Sequence, residues 1–204
     1  MSDTAPTIDT GLIAAAMELI AERGWPKLSL AEAATRAGLP LADVRARFPC
    51  RVSVLMRFNT QADQTAITGA ITDGPIRDRL FDIVMRRLDA LQAHRAGVLA
   101  LMRDLPRDPA TATILGAATL RSMGWMLQAT AIEATGLRGR LRTHGLHILW
   151  LATLRAWAKD ESEDLSATMS ALDAALTRAG QAEATMADMF GDKTATTDSN
   201  NATA

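Results

Sequence analysis

The chain has 204 residues, 48% hydrophobic and 22% charged, the balance of a globular protein with one large domain or two small ones. Aromatic residues make up only 4%, and tyrosine is absent; alanine, leucine and methionine fill the apolar positions instead, which favours helix over sheet. A formal net charge of −1 excludes a surface that grips nucleic acid everywhere, so any such contact must be local. The single cysteine, Cys50, supports neither an internal disulfide nor a cysteine-based zinc site. Residues 1–10 carry no signal pattern, and no apolar run reaches bilayer length. The expectation is a soluble, cytoplasmic protein with no transmembrane segment and no cofactor.

In chain order, apolar residues recur at helical spacing from Ile8 to Arg23, through Leu12, Ile13, Ala16, Leu19 and Ile20, and Gly24 ends this first helix. Ser29 with Glu32 forms the S-x-x-E capping box that opens a second helix, which stops at Gly38. A third, short helix spans Pro40 to Arg47. Pro49 closes it, and a fourth runs on to the "DGP" at 73–75. A fifth begins at Pro75. "HRAG" (94–97) and "PRDP" (106–109) bracket a sixth, and a seventh extends from Pro109 to Thr135. Gly136 and Gly139 separate it from an eighth, Arg140 to Lys159. A ninth, capped by Ser162, reaches Gly180, and a short amphipathic piece, "AEATMADMF", trails it. The tail, residues 191–204, has almost nothing to bury and reads as disordered. The fold class is all-α. A three-helix unit (8–62) precedes a larger helical body (63–190), with the seam near Ala62.

The second and third helices form the outline of a helix-turn-helix, in which one helix braces across DNA and the next enters the major groove. Gly38 supplies the tight turn, and the small Ala33 and Ala34 let the helices approach. The third helix offers Leu41, Ala42, Asp43, Arg45, Ala46 and Arg47 outward while Val44 and Phe48 point to the core. The segments "AERGW", "LSLAEAATRAGL", "VRARFP" and "VSVLMRF" resemble the N-terminal domain of the tetracycline-repressor (TetR) family. That resemblance implies a homodimeric transcriptional repressor. A pocket in its C-terminal helices would take a small apolar effector, whose binding releases a double-stranded DNA operator.

In the family's pattern an aromatic residue and a histidine end the reading helix. Arg45 and Arg47 stand there, and Arg51 replaces a lysine. Arginine holds phosphate through charge-assisted bonds. Asp43 occupies the place of a small hydroxyl residue; it repels phosphate but can accept from a cytosine amine. The candidate DNA contacts are Ser29, Arg36, Leu41, Ala42, Asp43, Arg45, Arg47 and Arg51. A second resemblance, carried by "RLDALQAHRAGVLAL" (87–101) and "WAKDESEDLSATMSALDAAL" (157–176), is to a fold-related lipid-binding accessory family of ubiquinone biosynthesis. It implies an alternative in which the helix-turn-helix no longer reads DNA.

For the body, Met85, Met102, Met123, Trp125, Met126, His147 and Trp150 are candidates to line an apolar effector pocket, methionine being the residue that adapts to irregular shapes. Plain core filling is the competing reading. Leu146, Leu149, Thr153, Leu172 and Leu176, on the eighth and ninth helices, are candidates for the dimer interface. His144 and His147 lack ligands at metal spacing, so no metal is expected. The acidic run "KDESED" (159–164) reads as a solvated helix start. No nucleophile elbow, phosphate-binding glycine loop or paired-histidine motif occurs, and an enzyme is not expected.

Overall fold

The computed structural model describes the backbone of residues 4–191 and the side chains of residues 8–181. Regular structure in that span is entirely helical: α1 (Thr4–Arg23), α2 (Leu30–Arg36), α3 (Leu41–Arg47), α4 (Arg51–Ile67), α5 (Ile76–Gln92), α6 (Arg95–Asp104), α7 (Pro109–Ala129), α8 (Gly136–Lys159) and α9 (Ser166–Gly191), with 3-10 turns at Trp25–Lys27 and Leu105–Arg107. The tail expected to be disordered begins at Gly191, the last described residue, and 192–204 lie outside the described residues.

α1 buries its apolar stripe as the periodicity predicts, with Leu12, Ile13, Ala16, Leu19 and Ile20 all excluded from solvent. It packs against α2 and α4 of the N-terminal unit and also against α6 of the body. That second contact is very close. A Cβ at Gly97 would lie 2.5 Å from the Met17 carbonyl oxygen, so only glycine fits. The break falls at the start of "HRAG", where His94 precedes α6, and Gly97 lies in the first turn of that helix. α4 runs unbroken through Ala62.

Three boundaries differ from the sequence reading. α7 ends at Ala129, where Ala131 takes a left-handed φ of 55° and turns the chain before Thr135. α8 begins at Gly136, and Gly139 sits in its first turn because a Cβ there would strike the Ala134 backbone at 2.0 Å. α9 passes through Gly180 and takes in the "AEATMADMF" segment, whose backbone continues the helix. The acidic run is also more than a solvated helix start. Asp160 is buried; it accepts the Thr168 backbone N–H at 2.7 Å and hydroxyl at 2.6 Å, and the Ser162 backbone N–H at 3.1 Å. One carboxylate thus ties the end of α8 to the start of α9.

The body's interior contains a charge. Arg87 of α5 is 2% exposed. Its Nε donates to Asp63 Oδ1 (2.9 Å) and its Nη2 to Asn59 Oδ1 (2.7 Å), both on α4. The Ser122 hydroxyl of α7 donates to Asp63 Oδ2 (2.5 Å), and the Asn59 amide donates to the Ser122 oxygen (3.0 Å). The guanidinium lies over the Trp150 ring of α8 at 4.3 Å. Four helices converge on one ion pair. Burial alone pushes the Arg87 pKa down, and Asp63 opposes that shift. Breaking a buried pair leaves an uncompensated charge. Arg87→Met should therefore cost about 3–5 kcal/mol in urea unfolding. The double substitution Arg87→Met with Asp63→Leu should recover most of that loss.

Candidate nucleic-acid interface and its connection to the body

The local sequence explains why α2 and α3 stand as they do. Ser29 caps α2 in extended conformation, its Oγ accepting the Glu32 N–H at 3.4 Å. The reciprocal half of the capping box is missing, because the Glu32 carboxylate pairs with Arg23 at 2.5 Å. Gly38 turns the chain with φ +66°, and the Leu39 N–H closes on the Ala34 carbonyl at 2.9 Å. Ala33 and Ala34 are buried between the helices, and Val44 and Phe48 anchor α3 with essentially no exposure.

With Val44 inward, about 100° per residue puts Ala42 and Ala46 at the centre of the outward face of α3. Leu41 and Arg45 fall on one flank, Asp43 and Arg47 on the other. All six reach solvent, Arg47 least.

The arginines are less free than the sequence suggests. Arg36 forks onto Glu22 of α1 at 2.6 and 2.9 Å, with Glu18 3.7 Å away, and this pairing holds the Glu22 carboxyl below its usual range. Arg47 donates from Nε to Asp9 of α1 at 2.8 Å. Arg51 donates to the Pro26 carbonyl at 3.0 Å and stacks on Trp25 at 4.7 Å. Arg45 makes no ion pair or hydrogen bond among the described residues. The thin basic surplus of residues 1–60, seven lysines and arginines against six acids, is thus largely spent internally. The exposed Arg36–Glu22 pair contributes only about 0–1 kcal/mol, so a phosphate can displace it at little cost, whereas Asp9, the partner of Arg47, is buried. Sequence reasoning missed Arg57 of α4, which also meets Asp9, at 3.1 Å. Position alone gave no signal, since Asp9 lies 48 residues away.

Trp25 joins this unit to the body. It is fully buried. Its backbone N–H donates to Asp104 Oδ2 at 2.8 Å, and its indole Nε1–H donates to Asp108 Oδ2 at 2.9 Å. Asp108 also caps α7, accepting the Thr111 N–H at 3.1 Å and hydroxyl at 2.7 Å. The indole bond first, then the Thr111 bonds, lower its pKa to about 2. The motif "PRDP" is therefore a joint as well as a helix break.

Among the candidate pocket residues, Met123, Met126 and Trp150 are buried in the core, Trp150 against Arg87, and Met85 and Met102 are half-buried. Trp125 does not join them: it points outward and is 62% exposed. His147 is half-buried, and its Nε2 is buried without a hydrogen-bond partner. Burial, then His144 and Arg87, push its pKa down. The candidate interface residues Leu146, Leu149, Thr153, Leu172 and Leu176 are all buried within the chain itself. α8 is apolar on two faces, and the stripe they mark is the one that packs inside the subunit. The outward stripe is Leu137, Leu141 and Ile148, exposed together with Trp125 of α7.

No protein-family model matches the sequence, and no curated protein does. Solved structures do. The chain superposes on a TetR transcriptional regulator from Nitrosomonas europaea with TM-score 0.70 at 21% identity, over 85% of this chain and 98% of that one. GusR from Salmonella enterica matches with TM-score 0.58 at 19% identity, over 87% and 96%. A TetR transcriptional regulator from Rhodococcus sp. RHA1 matches with TM-score 0.56 at 17% identity, over 86% and 96%. The chain has the TetR-type fold: an N-terminal helix-turn-helix followed by a larger helical body. Among the described residues no helix is long and apolar enough to cross a membrane.

Asp108 has a folded pKa of about 2 against an ordinary 3.8. Its contribution is complete above the ordinary value and is lost as pH falls through the folded one. Asp108→Asn should flatten the acid limb of the stability curve between about pH 4 and pH 2, read as the urea midpoint at each pH. Trp25→Phe should flatten it in part, because it removes the largest cause of the shift and leaves the Thr111 bonds.

Proposed function

We propose that this chain is a DNA-binding transcriptional regulator, acting as a homodimeric repressor in the cytoplasm and released from its operator by a small, largely apolar effector. The observation that carries the proposal is the outward presentation of α3, held by Val44 and Phe48 behind a Gly38 turn, on a body fastened to it through Trp25 and Asp108. The solved structures with this fold named above are transcriptional regulators, which supports the same reading.

In this reading α3 enters the major groove. Leu41, Ala42 and Asp43 face bases, with Asp43 accepting from a cytosine amine. Ser29, Arg36, Arg45, Arg47 and Arg51 face phosphates: Arg45 is available at once, Arg36 is released from Glu22 on contact, and Arg47 keeps Asp9 on its Nε while its Nη nitrogens face the phosphate. The effector lies among Met85, Met102, Met123, Met126 and Trp150, and the unpartnered His147 Nε2 gives it one polar contact; an orphaned buried nitrogen is costly and calls for a partner. The outward α8 stripe, with Trp125, forms the dimer face. The solved structures that share this fold give the quinone-accessory alternative no support.

Mapping the protein on its own genome by crosslinking and immunoprecipitation tests the proposal. A few sharp peaks sharing a two-fold symmetric site are expected; absence of enrichment in cells containing the protein would overturn it. Arg45→Ala with Arg47→Ala should abolish operator binding in a mobility-shift assay while leaving the circular dichroism spectrum unchanged. Ile148→Glu should halve the mass measured by light scattering.

A further inference from the structure

Asp9 of α1 is 7% exposed and uses one carboxylate oxygen for each of two arginines: Oδ1 for Arg47 Nε at 2.8 Å and Oδ2 for Arg57 Nε at 3.1 Å. Only the Nε edge of each guanidinium is engaged in this contact. Both arginines line a surface pocket of about 220 Å³, together with Phe48, Ser53, Met56 and Thr60. The two hydroxyls there donate to helix carbonyls, Ser53 to Cys50 and Thr60 to Met56. What remains for a ligand is the Nη nitrogens of two guanidiniums from different helices, oriented by one shared carboxylate, with a net charge of +1.

We propose that this pocket is an anion site for a tetrahedral oxyanion, a phosphate group. A planar carboxylate matches one guanidinium fork. A tetrahedral group has enough oxygens, in the right directions, to meet two forks approaching from α3 and α4. Arg47 ends the reading helix, so a phosphate of the DNA backbone is one source of that group; the assignment of this source rests on the DNA-binding reading. A free phosphate or phosphorylated small molecule is the other. Asp9 acts as the positioning residue: it fixes both forks and leaves the site a net positive charge for the ligand.

The test uses the full chain and Arg57→Gln, with Arg178→Gln on α9 as the control for loss of a positive charge elsewhere. Inorganic phosphate is compared with chloride at matched ionic strength by thermal melting. Affinity for mixed-sequence duplex DNA is measured over a range of salt. Phosphate should raise the melting midpoint of the parent and of R178Q but not of R57Q. R57Q should also weaken duplex binding uniformly across sequences, with the slope of log affinity against log salt reduced by about one. Loss of the phosphate response with duplex binding unchanged would assign the site to free phosphate. A reduced salt slope alone would assign it to the DNA backbone. A parent that binds no duplex yet is protected by phosphate would end the DNA reading and leave the site standing. If R57Q matches the parent in both measurements, the site is disproved. Should R57Q fail to fold, Arg57→Lys, which keeps the charge and loses the fork, should retain less than half of the phosphate response.

Discussion

Burying the Arg87 guanidinium constrains the rest of the body. A charge in that position must be met by an opposite charge and by acceptors; Asp63 and Asn59 of α4 meet it, and Ser122 of α7 donates to Asp63 behind them. The face of Trp150 covers it. Apolar cores tolerate sliding of one helix along another, but this network does not, because its partners are specific atoms. α4, α5, α7 and α8 therefore share a single register. The apolar side chains around them, Met123 and Met126 among them, pack in the space that register leaves.

α4 and α7 are fastened twice. At one end the Asp63–Ser122 bond joins them. At the other, Asp108 at the start of α7 and Arg51 at the start of α4 converge on Trp25. The first fastening lies within the candidate effector region and the second within the candidate DNA-facing unit. A molecule that disturbs the first acts on a stiff pair of helices whose far end holds the reader. Coupling of this kind needs two arrangements that both sites bias, and the double fastening identifies the parts that would have to rearrange.

Much of the N-terminal unit was legible in the sequence because its signals are local. Ser29, Gly38, Val44 and Phe48 act within a few residues of where they stand. The partners of the arginines were not legible. Arg47 finds Asp9 38 residues away, and Arg36 finds Glu22 across a helix crossing. Gly97 and Gly139 look like punctuation in one dimension but are contact points in three, set against Met17 and Ala134. The interface candidates show a related effect: all five are buried within the chain itself. α8 carries two apolar stripes, and a periodicity cannot say which of them its own subunit consumes. The Trp25 joint was invisible because its acceptors, Asp104 and Asp108, lie 79 and 83 residues on.

The seam at Gly97 carries a mechanical implication. With no side chain between them, the backbones of α1 and α6 touch, and there is no layer of rotamers to act as a bearing. The first helix of the N-terminal unit and the sixth helix of the body are thereby in direct backbone contact. α1 packs in turn on α2, and α2 on α3, so a tilt of α6 reaches α3 through two further helix contacts. In the dimer proposed above, the spacing of the two copies of α3 would depend in part on this contact, and so on the smallest residue in the seam.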